Sequence, residues 1–314
     1  MNNSDYNSVN KVITELPTKT TDSPGTLNIA GVDDISQIDI TTAESKFWNI
    51  DNQYKVAEYK FNSSIDTLFS EVNEGFMYTH TDIDNGDGTI TRTIRSDQLP
   101  TIVRFEDCEG LLEVNYLNIS ELTTLRKTFK NCYNVTSINA TDWDTSKVTS
   151  FHEAFEDCNN LITLDVSNWN TSNVTDMFGI FDNCHNLITL DVSNWNTTNA
   201  TDMNGVFRDC YSLTSLDVSN WNTSKVTDMD GMFNDCRSLT SLNVSNFDTS
   251  NVTDMNGMFN DCYSLTQLDL SNFDTSNVTD MDGMFNDCQS LTSLDLSNFD
   301  TSNVTDMNCM FNDC

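Results

Sequence analysis

Cysteine sets the frame of this chain. Cys132, Cys158, Cys184, Cys210, Cys236, Cys262, Cys288 and Cys314 follow one another at intervals of 26 residues, and Cys108 precedes the first by 24. A fixed period between 20 and 50 residues marks units that are each too small to bury their own apolar face, so neighbouring coils must stack and share a core. The register predicts a repeat solenoid over residues 102–314, with seven full units from Tyr133 to Cys314 and a shorter one from Glu109 to Cys132. A disulfide framework is the competing use of ten cysteines, but such frameworks belong to short secreted chains with irregular spacings. Parallel side chains in a ladder also point the same way, which opposes the near-perpendicular S–S torsion. A buried row of reduced thiols is the expectation. Cys309 differs, since it stands where the other units have Gly231, Gly257 and Gly283, and exposure is expected there.

Inside one unit two periods operate. In LTSLDVSN the apolar residues at the sixth and eighth places after the cysteine alternate with polar ones, as in a half-buried strand. In TDMDGMFNDC the apolar residues Met229, Met232, Phe233 and Cys236 fall at i, i+3, i+4 and i+7, one stripe of a helix. The pattern predicts a parallel strand on one side of each coil and two turns of helix on the other, with Thr227 or Asp228 as the helix cap. This is a leucine-rich-repeat-like fold class, preceded by a small β-rich N-terminal module.

The unit S-L-T-S-L-D-L-S-N-F-D-T-S-N-V-T-D-M-x-G-M-F-x-D-C resembles the BspA-like leucine-rich-repeat family of 26-residue bacterial surface-protein repeats, across Tyr133 to Cys314 and loosely back to Ile102. The resemblance implies a non-enzymatic, surface-displayed solenoid linked to adhesion. The commoner leucine-rich repeat has its ladder asparagine where these units have Trp or Phe, so the ligand faces of better-known relatives are not carried over.

Several rows of residues repeat with the period. Asn168, Asn194, Asn220, Asn246, Asn272 and Asn298 are expected to pair with backbone groups at the bend after the strand, and Asn220→Ala is expected to cost about 1–3 kcal/mol on that basis. Asp165, Asp191, Asp217, Asp269 and Asp295 would stack like charges, a repulsion that hard cations such as Ca²⁺ relieve through carboxylate oxygens; solvation accounts for the same row without a metal. These five are the metal candidates, and no other cofactor is expected. The outward strand places, Thr163, Asp165 and Ser167 or Ser215, Asp217 and Ser219, form the candidate ligand face. A face that uniform suits a repetitive polymer such as a glycan, or a spacer. DIDNGDGTI fails as a calcium loop because Ile83 and Ile94 occupy ligand places, and it reads as a hairpin turn at Asn85–Gly86. His80, His152 and His185 share no spacing with a nucleophile or carboxylate that would suggest a triad or a zinc site.

With 48 Asp+Glu against 15 Lys+Arg, a formal net charge of −33 excludes a nucleic-acid reader. No stretch is apolar enough to span a bilayer, and the first residues lack the basic and apolar regions of a secretory signal. Residues 1–46 read as an extended attachment arm, whose I-T-E-L-P stretch resembles the N-terminal segment of tailed-phage fibre and appendage proteins. Residues 47–101 read as a small β-rich module capping the first coil. Two functions follow as expectations: a virion appendage docked by its arm to a virion structural protein and displayed on the virion surface, or a bacterial cell-surface adhesin. A host-surface glycan or protein would be the ligand in either case, and an uncapped last coil invites a partner subunit or a second copy.

Overall fold

The computed structural model describes residues 25–28, 48–51, 54–64, 78–96 and 98–314. Seven strands are named in chain order: β1 (Gly25–Asn28), β2 (Trp48–Asp51), β3 (Tyr54–Asn62), β4 (Thr79–Asp84), β5 (Thr89–Ser96), β6 (Leu111–Leu117) and β7 (Ser137–Ile138). Strands β1 and β2 pair in parallel; the remaining five form an open sheet in the order β4-β5-β3-β6-β7. Apart from β1, the arm expected over residues 1–46 lies outside the described residues. The expected hairpin is present: Asp84 and Thr89 flank a loop in which Gly86 and Gly88 take φ of +75° and +84°, a conformation that residues with a Cβ resist.

Strand β3 joins the two parts of the sheet. Its residues pair antiparallel with β5 on one side and with β6 of the first repeat on the other, so Tyr59 and Phe61 enter the same core as Phe105 and Leu111. Beyond β6 the sheet turns parallel, and then narrows. Ser137, Thr163, Thr189 and Ser215 are linked by single parallel bridges, and a second row runs Ser150, Asp176, Asp202, Asp228, Asp254, Asp280, Asp306. Each pair is 26 residues apart, so every repeat pairs with its equivalent in the next. The strand expected in each coil is thus one bridge wide from Thr163 to Ser215, and the coils after Ser215 carry no bridge on that side.

The expected helix is not formed, and among the described residues every regular element is a strand. The apolar stripe is buried as its spacing requires, with Met229, Met232, Phe233 and Cys236 all at zero exposure. Its backbone, however, takes left-handed φ at Gly231 (+56°) and Asp235 (+58°), and the same two places are left-handed in every unit from Lys127 and Asn131 onward. Two left-handed residues four apart cannot belong to one right-handed helix. The amides of Met229, Gly231, Phe233 and Asp235 instead donate to the carbonyls of Asp254, Asn256, Met258 and Asn260 in the next repeat. Alternate amides, those of Met232, Asn234 and Cys236, close local turns on Met229, Gly231 and Phe233. Backbone groups that a helix would satisfy within one coil therefore bind coil to coil.

The core is a set of columns. Phe105, Phe129, Phe155, Phe181, Phe207, Phe233, Phe259, Phe285 and Phe311 stack with centroids 5.4–6.0 Å apart. Trp143, Trp169, Trp195 and Trp221 form a second column, the last three donating Nε1 to a carbonyl of the preceding repeat. The cysteines are free thiols, and those from Cys108 to Cys288 are buried. Cys158 to Cys288 each donate Sγ–H to the carbonyl of the phenylalanine 29 residues earlier. Burial pushes the thiols up, Cys108 and Cys288 to about 12, so they stay protonated as a hydrogen-bonded apolar row. Cys309 is exposed at φ +53°, in the glycine place of its unit.

Candidate functional site

In LTSLDVSN and its equivalents the alternation of side chains places Leu164, Leu190 and Leu216 on the core side and Thr163, Asp165, Thr189, Asp191, Ser215 and Asp217 outward. Because successive coils superpose these places, the outward residues line a groove of about 550 Å³ that ends at Ser241. Leucine side chains show at its floor, since Leu216 keeps 8% of its surface and Leu190 6%. The groove thus offers two kinds of contact in the coils it crosses, an apolar floor and hydroxyl or carboxylate walls.

The candidate ligand face divides here. Thr163, Asp165, Ser215 and Asp217 line the groove; Ser167 and Ser219 do not. Their amides and hydroxyls donate to Asp165 and Asp217, at 3.2 and 2.7 Å in the first pair and 3.0 and 2.6 Å in the second. Asp191 is held the same way by Ser193. These bonds hold the Asp217 carboxyl below the usual carboxylate range, the hydroxyl of Ser219 contributing most. Asp269 and Asp295, likewise lowered by Ser271 and Ser297, continue the row beyond the groove. Each of the five calcium candidates therefore accepts bonds from its own turn. Among the described residues no group of three or more His, Cys, Asp or Glu side chains converges on one point. The carboxylates of the second row, Asp228 and its equivalents, accept the amide two residues on, as a cap would, at the start of the left-handed turn rather than of a helix.

Sequence reasoning missed Thr189, Asp191 as a groove residue, Ser241 and the leucine floor. The signal was present: the strand alternation that puts leucine inward leaves its edge visible wherever the flanking side chains are as short as Ser or Thr. The ladder of Asn220, Asn246, Asn272 and Asn298 does donate to carbonyls of the preceding repeat, but from exposed positions, and Asn220 only at 3.5 Å. The buried polar ladder is a different one. Thr171, Thr197, Thr223, Thr249 and Thr275 are at most 1% exposed. Each hydroxyl donates to the carbonyl, and accepts from the amide, of the same residue one coil on, as Thr223 does with Asp248 at 2.9 and 2.8 Å.

His152 sits 3.2 Å from Asp176 and stacks on Phe178, while His185 stacks on Tyr211. Neither faces the groove. No helix among the described residues is long and apolar enough to cross a membrane.

Comparison with known proteins agrees with the repeat. A family described as "Mycoplasma protein of unknown function, DUF285" matches residues 104–215 and 237–314, together more than half of the chain. Neither a curated protein nor a solved structure matches.

Proposed function

Because the chain belongs to the DUF285 family of Mycoplasma proteins of unknown function, and because its groove repeats coil by coil, we propose that it is a non-enzymatic, surface-displayed recognition protein: a leucine-rich-repeat-like solenoid that binds an extended polymer along its strand side. The pairing of each residue with its equivalent 26 places on supports the solenoid reading, since one coil per repeat is what such pairing builds. The observation that carries the functional reading is the groove itself, whose wall recurs as Thr163/Asp165, Thr189/Asp191 and Ser215/Asp217. A site with the same contacts at every coil selects a ligand with the same group at every unit. Hydroxyls on both partners and a leucine floor suit the polar edges and carbon faces of a neutral polysaccharide, while the row of carboxylates disfavours an anionic one.

Display on a bacterial cell surface, as an adhesin, is the setting we infer; the family's description as Mycoplasma proteins supports a bacterial setting over a viral one. The virion-appendage alternative rests on residues 1–46, of which only β1 is described. The test is binding of the full chain to immobilised neutral polysaccharides of one repeating sugar, a glucan and a mannan among them. Thr189→Trp fills the middle of the groove from an exposed position. It should remove the binding without lowering the unfolding midpoint. Equal binding by this variant, or none by the parent protein to any neutral polysaccharide, contradicts the proposal.

A further inference from the structure

The groove wall is nearly the same from Thr163 to Asp217, so it gives a partner no reason to prefer one of those coils over another. Among the places in the repeat that do vary is the residue directly after the cysteine. Tyr133, His185, Tyr211, Arg237 and Tyr263 hold it, with amide side chains at the two remaining places. All three tyrosines that follow residue 132 stand there. The stacking of coils brings four of these side chains, from successive repeats, into one stripe on the surface. The His185 and Tyr211 rings lie 4.4 Å apart and nearly parallel, at 6°. The Arg237 guanidinium lies 4.1 Å from the centre of the Tyr211 ring and 5.8 Å from that of Tyr263.

The left-handed residue before each cysteine stands beside the stripe, Asn183 at His185 and the carboxylates of Asp209, Asp235 and Asp261 beyond it. Arg237 donates Nε–H to Asp235 at 2.7 Å. Burial, then the neighbouring Asp209 carboxylate, pushes the Tyr211 hydroxyl up to about 12, and the Asp261 carboxylate, with burial second, does the same at Tyr263. Burial and the charges of Asp209 and Asp261 together raise the Asp235 carboxyl, against the pull of Arg237. Negative charge thus runs along the stripe and exceeds the single positive charge set into it.

We propose that the stripe of His185, Tyr211, Arg237 and Tyr263 is a docking surface for a basic protein segment, one that presents arginine side chains. Three features favour that occupant. Tyr and Arg are the side chains that anchor protein interfaces, and here stacking has already fixed their rotamers, which lowers the entropy lost on binding. Arg237 shows how a guanidinium fits against these rings, with a ring face beside it and a carboxylate at its edge, and equivalent carboxylates stand beside each tyrosine. The net charge of −33 draws a cationic partner and repels an acidic one. The site does not depend on the groove, and it supplies what the groove lacks, a mark at one height of the stack.

The test uses the full chain and a short synthetic peptide of alternating arginine and glycine, with its glutamate counterpart as control. The arginine peptide should bind, and the double variant Tyr211→Ala with Tyr263→Ala should weaken it about tenfold. Tyr211→Phe with Tyr263→Phe should retain most of the affinity. All three proteins carry the same net charge, so loss in the alanine variant alone assigns binding to the rings rather than to diffuse attraction. Thr189→Trp should leave peptide binding unchanged, which separates this site from the groove. If the double variant fails to fold, Tyr263→Ala alone, at a half-exposed position, should still weaken the peptide about threefold. Equal binding by the alanine variants, binding of the glutamate peptide, or displacement of the arginine peptide by a neutral polysaccharide would overturn the proposal.

Discussion

A single hydroxyl decides more here than a row of amides. Thr223 is fully buried, and its hydroxyl supplies both a donor to the Asp248 carbonyl and an acceptor to the Asp248 amide. Thr223→Val keeps the volume and removes both bonds, and should cost about 1–3 kcal/mol in urea unfolding. Asn220→Ala, by contrast, removes one long bond from an exposed side chain and should cost about 0.5 kcal/mol, because water replaces what the amide gave. The sequence shows both ladders equally well; only burial ranks them. Asp182 makes a second test at this scale. Its Oδ1 is buried without a partner, and burial pushes the carboxyl up to about 7 against the pull of Arg208 at 3.6 Å. The folded chain then keeps a proton that the unfolded chain releases between about pH 4 and 7, so this residue makes stability fall as pH rises through that window and stay level above it. Asp182→Asn should match the parent at pH 4 and exceed it at pH 8, by on the order of a few kcal/mol. A difference of the same size at both pH values would reject that account.

At the scale of elements, the cysteine register announces the repeat and its alternation announces the bridged side and the groove, whereas TDMDGMFNDC misleads. Its stripe of Met229, Met232, Phe233 and Cys236 does reach the core, but burial at that spacing does not require intracoil hydrogen bonds. A turn ribbon that sends every second amide to the next coil satisfies the same stripe. The clue lay in the two remaining places, Gly231 and Asp235, residue types that tolerate left-handed backbone and that helices avoid. Both tell against a helix only once it is known that coils run close enough to exchange bonds. Substitution at the glycine should follow local space. At Gly283 a Cβ meets nothing closer than 3.8 Å, so Gly283→Ala should cost only the left-handed strain of about 1–2 kcal/mol. At Gly231 a Cβ would fall 2.6 Å from the Arg208 guanidinium, so Gly231→Ala should cost more, since Arg208 must leave Asp230. Equal midpoints for the two variants in thermal unfolding would show that Arg208 contributes nothing at that place. Cys309 already carries this strain, and Cys309→Gly should raise the midpoint.

Across the whole molecule the same pairings recur from Phe105 to Phe311, so ring columns, thiols and every second amide of the turn ribbon cross from one coil to the next. That recurrence carries the groove over four coils, from Thr163 to Ser241. It also explains why the function is less legible than the fold. Repetition fixes the architecture by agreement among many equivalent residues, but it removes the singular cluster by which a catalytic or metal site is recognised. What remains to be read is the shape of the repeated wall and the few places, such as Tyr211, Arg237 and Tyr263, where one coil departs from the next. Excision of residues 185–236 removes two complete repeats, leaves the cysteine spacing at 26 across the join, and takes with it the central wall of Thr189, Asp191, Ser215 and Asp217. The affinity of this shortened chain for a long neutral polysaccharide, set beside that of the full chain, is the most direct test. A cooperatively folded stack whose affinity has dropped at least tenfold is the predicted result, and a folded stack that binds as tightly as the full chain would contradict it.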